Sequence, residues 1–329
     1  MIPIKKMAVS TCIYRCKGNF LFKILVIGIL ILATFISLFH SLTKDQKQEL
    51  IRVMTGNQFV NQQREELLMA VLVMSDPKSN YARRIIRKTW ASDVPEGFVV
   101  RFVIGTAKLT DSELAAVLEE DFDHGDLILL PRLEDAYNKL SFKLLEMLVW
   151  ANENLNVRYL MKVDEDSFVQ PNLLADELLK MPSKRLYWGY FNGRGPVLKE
   201  GKFAELEYNM CDRYTPYALG GGYVLSADLV TFVAQNHALL KVYKNEDVSL
   251  GSWLSPLDIH REHDERFDTE YHSRGCKDSY LVTHKHSLKQ IQLYHRTVQY
   301  TGKLCIDEYV DYVSYMYNWN VPPSRCCEV

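Results

Sequence analysis

The sequence has no excess of positive charge. Its 39 Lys and Arg stand against 41 Asp and Glu, a net of −2, so nothing in it answers the polyanionic surface of a nucleic acid. It has no C-x2-C pair, and two of its seven cysteines, Cys326 and Cys327, are adjacent, which disfavours a zinc site. Beyond residue 42 it has no N-x-[ST] sequon, and beyond residue 64 no internal repeat or low-complexity tract. With 47% hydrophobic and 24% charged residues, disordered and collagen-like chains are excluded. The 329 positions suit one large domain or two small ones.

What is present is a long uncharged run, Ile24–Leu42. At helical rise it spans roughly 28 Å, about one bilayer core. Residues 1–23 hold five basic residues and no acidic one; after Thr43 the count is 34 basic to 41 acidic, a net of −7. Positive flanks stay cytosolic. The expected order is a cytosolic tail (1–23), a transmembrane signal anchor (24–42), a short polar stem (43–64) and a lumenal domain (65–329). A cleaved signal peptide is the alternative, but the leader is long, the apolar stretch exceeds an ordinary h-region, and no A-x-A-like site follows. Cys12 and Cys16 then stay reduced or lipidated. Cys211, Cys276, Cys305, Cys326 and Cys327 face an oxidising compartment, where five can make at most two bridges and leave one thiol.

From Leu67 strand and helix patterns alternate. Leu67–Met74 is a continuous apolar run, as in a strand buried on both faces. Tyr81–Trp90 reads as a helix with a basic face and Phe98–Ile104 as a strand. Thr110 opens a helix through Glu120, with Glu113 at capping-box spacing. Leu127–Leu130 is a strand, Glu134–Ala151 a helix and Arg158–Val163 a strand. This order predicts an α/β fold with an open, mainly parallel twisted sheet and helices on both faces. Such sheets bind ligands beyond the carboxyl ends of their strands.

Arg158–Val163 runs directly into Asp164-Glu165-Asp166. Alternate residues of an extended chain share a side, so Asp164 and Asp166 can face one site. Two hard oxygen donors suit Mg²⁺ or Mn²⁺ with a diphosphate completing the shell. An EF-hand is disfavoured, because the sixth loop position is Val169 rather than Gly. Arg84 and Arg87 share a helical face and could meet a diphosphate, or simply be a solvated basic surface. Asn245-Glu246-Asp247 opens an apparent helix, Val248–Leu254; acids there cap helices, but a carboxylate is also what a general base needs.

Several segments together resemble the β-1,3-glycosyltransferase family. They are Arg84-Ile-Ile-Arg-Lys-Thr-Trp90, Asp135-Ala-Tyr137, Lys162-Val-Asp-Glu-Asp-Ser-Phe168, Tyr187-Trp-Gly189, Gly220-Gly-Gly-Tyr-Val-Leu-Ser226 and Glu246-Asp-Val-Ser-Leu-Gly251. The resemblance implies a GT-A fold, a Golgi membrane location with a lumenal catalytic domain, and inverting transfer from a nucleotide sugar. It assigns donor binding to Arg84, Arg87, Asp135, Tyr137, Lys143, Asp164 and Glu165, and Mn²⁺ to Asp164, Asp166 and His284, with His286 a near alternative. Asp247 becomes the base, with Glu246 its rival or an acceptor contact. Trp188, Gly189, Gly221 and Gly222 would form the acceptor floor, although Trp188 can equally be a core residue. Lys139 stands where the family usually has Asn.

The segments Arg266–Tyr271, Ser273–Cys276, Leu281–Lys285 and Pro322–Cys327 are similar to the branch that builds the glycosaminoglycan linker. That similarity implies UDP-galactose as donor and a galactosyl-xylosyl core protein as acceptor. It leaves open a homo-oligomer or a complex with other linker enzymes. Two further readings stand beside it: a β-1,3-N-acetylglucosaminyltransferase on the same fold, and a non-catalytic carbohydrate-binding protein.

Overall fold

The computed structural model describes residues 66–327. The expected tail, signal anchor and stem, with Cys12 and Cys16, lie outside the described residues. Among the described residues no helix is long and apolar enough to cross a membrane.

The apolar run Leu67–Met74 is β1, and Met69 to Val73 have no exposed surface at all. It is flanked on both sides by parallel strands, β2 (Phe98–Gly105) and β4 (Val157–Asp164). That placement is why its sequence does not alternate. β3 (Leu127–Leu130) extends the sheet beyond β2. On the other side β7 (Tyr217–Ser226) joins β4 antiparallel, followed by β6 (Leu186–Asn192) and β8 (His260–His263), for the order β3-β2-β1-β4-β7-β6-β8. The sheet is therefore mixed, with parallel pairing throughout β3-β2-β1-β4 and between β6 and β8. β1 proceeds to β2 on one side while β4 lies on the other. The loops leaving β1 and β4 thus diverge, which opens a crevice at their carboxyl ends.

Helices flank this sheet: α1 (Asn80–Arg87), α2 (Asp111–His124), α3 (Leu140–Asn154), α4 (Pro171–Leu178), α5 (Ala227–Asn236), α6 (Glu246–Leu254) and α7 (Leu288–Thr301). α3 packs on α5 and α6, and α1 on α7. Thr110 caps α2 with the reciprocal Glu113 bond of a capping box, and Gly125 closes it in the left-handed region at φ 62°. α3 starts at Leu140, not at Glu134. Ala136 is extended, and the Asp135 carboxylate accepts from Gly105 N and Lys143 Nζ, which holds the segment out of the helix. The expected helix Tyr81–Trp90 is α1 followed by a 3₁₀ turn at Trp90–Ser92.

A small second sheet, β5-β11-β9, sits beside the crevice: β5 is Phe168–Val169, β9 Phe267–Asp268 and β11 Val282–Thr283. A third pairs β10 (Gly275–Cys276) with β12 (Tyr309–Val310). Two bridges form, Cys276–Cys305 and Cys326–Cys327, and Cys211 is free and exposed. The first closes 29 residues. Replacing both Cys276 and Cys305 by Ser should lower stability by about 3–4 kcal/mol in urea unfolding, through the freed chain entropy of the unfolded state.

Candidate active site

Asp164 ends β4 and pairs across the sheet with Met74, the last residue of β1. The D-x-D is therefore at the mouth of the crevice. β11 runs antiparallel to β5, with Thr283 opposite Phe168, and His286 N donates to Asp166 O at 2.9 Å. This short pairing brings residue 284 to residue 166 from more than a hundred positions away. Lys285 adopts φ 68°, an unfavourable left-handed conformation for a side chain-bearing residue. The turn leaves Lys285 exposed and buries both His284 and His286.

His284 Nε2 lies 2.9 Å from Asp166 Oδ1 and 3.5 Å from Asp164 Oδ2. The two carboxylates are charge partners of the ring, but neither buried ring nitrogen finds a hydrogen-bond partner among the described residues. Buried imidazole nitrogens are rarely left so. One ligand atom from each of the three residues falls within 4.8 Å of the others. A divalent cation among them would satisfy the orphaned nitrogen and both carboxylates, so the residues fit the expected ion. His286 instead bonds Thr283 Oγ1 at 2.8 Å, and burial lowers its pKa to about 4. It is a neutral structural neighbour, not the ligand.

Lys162 is the residue that the sequence reading missed. It is fully buried in β4, two positions before Asp164. Its ammonium is 2.8 Å from Asp164 Oδ1 and is bonded to Glu246 Oε1 and the Gly220 carbonyl. Burial would lower its pKa, but Asp164 and Glu246 outweigh that and raise it. Burial would likewise raise Asp164, yet Lys162 and His284 hold it well below the usual carboxylate range. The signal was legible: a lysine inside the apolar strand Tyr-Leu-Met-Lys-Val needs buried carboxylates. Glu246, 84 residues away, could not be named as one of them.

Glu246 and Asp247 occupy the first turn of α6 and have separate fates. Glu246 is only 7% exposed, and its two oxygens meet Lys162 and the Tyr223 hydroxyl. Burial, then repulsion from Asp247 and Asp164, pushes it up to about 7 against the pull of Lys162. With both oxygens engaged inside the core, Glu246 is not placed to touch an acceptor, which corrects that reading. Asp247 is more open. Its Oδ1 accepts from Val248 N at 2.9 Å and its Oδ2 from Gly220 N at 3.3 Å. Burial raises its pKa, partly opposed by Lys162 and by those two N–H groups. A raised carboxylate is a stronger base than an ordinary one.

The glycines have a different role from the one expected. A Cβ on Gly221 would lie 2.5 Å from His284 Nδ1, and one on Gly222 3.1 Å from Val282 Cγ1. They make room for the histidine-bearing strand and do not form a sugar floor. Gly221→Ala should force the His284 ring to shift and weaken divalent-cation binding at least about tenfold, since displacing a ligand's support typically costs that much; titration with Mn²⁺ followed by electron paramagnetic resonance reads it.

Trp188 also requires correction. It has no exposed surface, its indole N–H donates to Asp264 Oδ2 at 3.0 Å, and its ring packs edge-on against Phe267. Gly189 beside it is wedged between Ala218 and Tyr223. Neither can touch a ligand.

On the other side of the D-x-D, Glu165 turns back to β1. Its oxygens accept from Ser75 Oγ and Ser79 Oγ, each at 2.8 Å. Lys143 is buried, 2.5 Å from Asp135 Oδ2 and 2.6 Å from Ser75 O. These residues fix the ends of β1 and β2 beside the crevice. Arg87 is already paired, its Nε and Nη2 being held by Asp126 and Glu120. That corrects its reading as a diphosphate clamp. Arg84 is exposed, stacked over Tyr81, in a shallow groove between α1 and α2. The buried cation of this helix is Arg83, whose guanidinium is held by Glu120, Ser75 Oγ, Asp76 O and Pro77 O. Tyr137 is 46% exposed and feels the charges of Asp247, Asp164 and Glu246, which with burial raise its pKa.

Comparisons with known proteins identify relatives of the chain. The sequence pattern of a family described as Galactosyltransferase matches residues 81–265. Beta-1,3-galactosyltransferase 6 of Mus musculus is 45% identical over 80% of this chain and 84% of its own length. UDP-GalNAc:beta-1,3-N-acetylgalactosaminyltransferase 2 of Danio rerio is 32% identical over 57% of this chain and 39% of its own. Probable beta-1,3-galactosyltransferase 8 of Arabidopsis thaliana is 34% identical over 63% and 56%. The chain thus spans most of the mouse protein and about half or less of the other two. A family pattern over more than half of its length, and a relative this similar over four-fifths of it, place the chain in the galactosyltransferase family as a glycosyltransferase.

Proposed function

We propose that the chain is an inverting β-1,3-galactosyltransferase that moves galactose from UDP-galactose to the 3-hydroxyl of the β-linked galactose in Gal-Xyl-O-Ser, the proteoglycan linker. The observation that carries this reading is the joining, through Lys162, of the Asp164–Asp166–His284 cluster to Glu246, the residue that precedes Asp247 in the first turn of α6. Mn²⁺ suits the cluster's two carboxylates and one imidazole, and when bound it supplies Lewis-acid neutralisation of the departing diphosphate. Asp247 takes the proton from the acceptor hydroxyl. The resulting oxygen attacks the anomeric carbon from the face opposite the nucleotide, the carbon–phosphate oxygen bond breaks, and UDP leaves with the electron pair. No second carboxylic acid is needed, because a metal-neutralised diphosphate departs without protonation. Lys162 holds Asp164 on β4 and Glu246 on α6 at a fixed separation, so base and cluster keep one geometry. By likeness to its family, the enzyme belongs in the Golgi membrane as a single-pass type II protein with residues 65–329 lumenal.

The test is a donor panel. The full chain is incubated with Mn²⁺, galactosyl-β1,4-xyloside, and either UDP-galactose or UDP-N-acetylglucosamine, and the product linkage is read by NMR. A new β1,3-linked galactose is expected. Transfer of N-acetylglucosamine alone, or of neither sugar, overturns the assignment.

A further inference from the structure

With Trp188 and Gly189 sealed in the core, the acceptor needs another floor. Three exposed aromatic rings from three distant segments supply one. Tyr137, Phe203 and Tyr271 are 46%, 40% and 66% exposed. Phe203 and Tyr271 meet edge to face, centroids 6.5 Å apart at 82°. The Lys202 ammonium lies 4.5 Å from the Tyr137 ring centre and 5.4 Å from that of Phe203, which ties the three rings into one strip.

The strip is anchored at the helix end that carries Asp247. Phe203 is pinned to the same helix end, because Asn245 Nδ2 donates to the Phe203 carbonyl at 3.0 Å, two residues before Asp247. Glu205, buried on the same loop, accepts from Asn245 N at 3.0 Å. The Phe203 end of the strip is therefore tied to the turn that carries the proton acceptor.

We propose that Phe203 and Tyr271, with Tyr137, form the platform on which the acceptor saccharide lies while its hydroxyl reaches Asp247; this rests on the function proposed above. A sugar ring has an apolar face of C–H groups and a rim of hydroxyls. The corner formed by Phe203 and Tyr271 offers flat aromatic surface to the first. Lys202 has no carboxylate partner among the described residues, and its ammonium offers three hydrogen-bond donors to the second. Exposed aromatic surface clustered beside a reactive group is a binding feature more often than an accident of packing.

Phe203→Ala and Tyr271→Ala in the full chain test this, with Tyr271→Phe as the conservative control. At saturating UDP-galactose, each Ala variant should raise the acceptor KM by about tenfold. The KM for UDP-galactose and its slow hydrolysis without acceptor should stay within about twofold, and Tyr271→Phe should behave as the parent. In parallel, galactosyl-xyloside is titrated into the protein with UDP and Mn²⁺ and binding is followed by saturation-transfer NMR. Unchanged acceptor KM and binding in both Ala variants overturn the platform, and so does an equal rise in the donor KM, which would give the rings to the nucleotide sugar. If the parent binds the disaccharide through these rings but transfers nothing to it, the platform stands and the proposed function falls. If the parent neither binds nor transfers, both fall.

Discussion

Asp247→Asn is expected to lower transfer by about three orders of magnitude, the middle of the range for losing a positioned general base, while UDP and Mn²⁺ still bind. The amide matches the carboxylate in size, and its oxygen can still accept from Val248 N or Gly220 N, so α6 should keep its start. What disappears is the lone pair that receives the hydroxyl proton. Isothermal titration with UDP–Mn²⁺ and circular dichroism would separate this from unfolding. The parent enzyme should show a matching pH signature. Burial raises the Asp247 pKa, and the reaction needs its ionised form. The acid limb of kcat/KM should therefore sit above the range of an ordinary aspartate, and activity should fall as the pH drops through it. Full activity in Asp247→Asn would exclude this residue as the base.

Asp166→Ala should do comparable damage by another route. Its Oδ1 is 2.9 Å from the unpartnered His284 Nε2, and its Oδ2 faces Lys285 at 3.5 Å. Removing the carboxylate leaves one oxygen ligand and one imidazole, too few to hold Mn²⁺ against water. Activity at low micromolar Mn²⁺ should fall by about two to three orders of magnitude, with partial recovery at millimolar metal. The parent enzyme should respond in the same way to a chelator and be restored by added Mn²⁺. The backbone bond from His286 N to Asp166 O survives the change, so the variant should remain folded. Retention of Mn²⁺ affinity in Asp166→Ala would remove the cluster as the metal centre.

Much of this site could be read before any coordinates. A strand such as Leu67–Met74 declares its double burial through uninterrupted apolar residues, and it sits between two parallel partners as expected. Thr110 and Glu113 announced a helix start through purely local chemistry. Asp164 was legible as the end of an apolar strand, but Glu165 and Asp166 form the turn that follows, so it is the turn and not strand alternation that brings Asp166 to the same site. The failures share a cause. Trp188 and Glu246 are residues whose roles depend on partners brought in by the tertiary fold: Asp264 and Phe267 for the indole, Lys162 and Tyr223 for the carboxylate. Arg87 is similar, since nothing near it in sequence reveals Glu120 and Asp126. The run Leu186–Phe191 also lacks any charged residue and is buried throughout, though Gly189 and two tyrosines make it less plainly apolar than Leu67–Met74. The rule that placed β1 in the core, applied consistently, would have placed Trp188 there too.

The charge around Lys162 bears on the sequence in which ligands arrive. Asp164 and Glu246 meet one buried ammonium, with Asp166 beside the first in the metal cluster and Asp247 next to the second in the chain. A diphosphate that approached first would enter a field of its own sign, and only after a cation has settled on Asp164 and Asp166 does that field turn attractive. Binding should thus be compulsory-order, metal ahead of nucleotide. The crevice would then admit its anionic donor only where free metal is available, and galactosylation would be throttled by the ion content of the compartment before sugar supply becomes limiting.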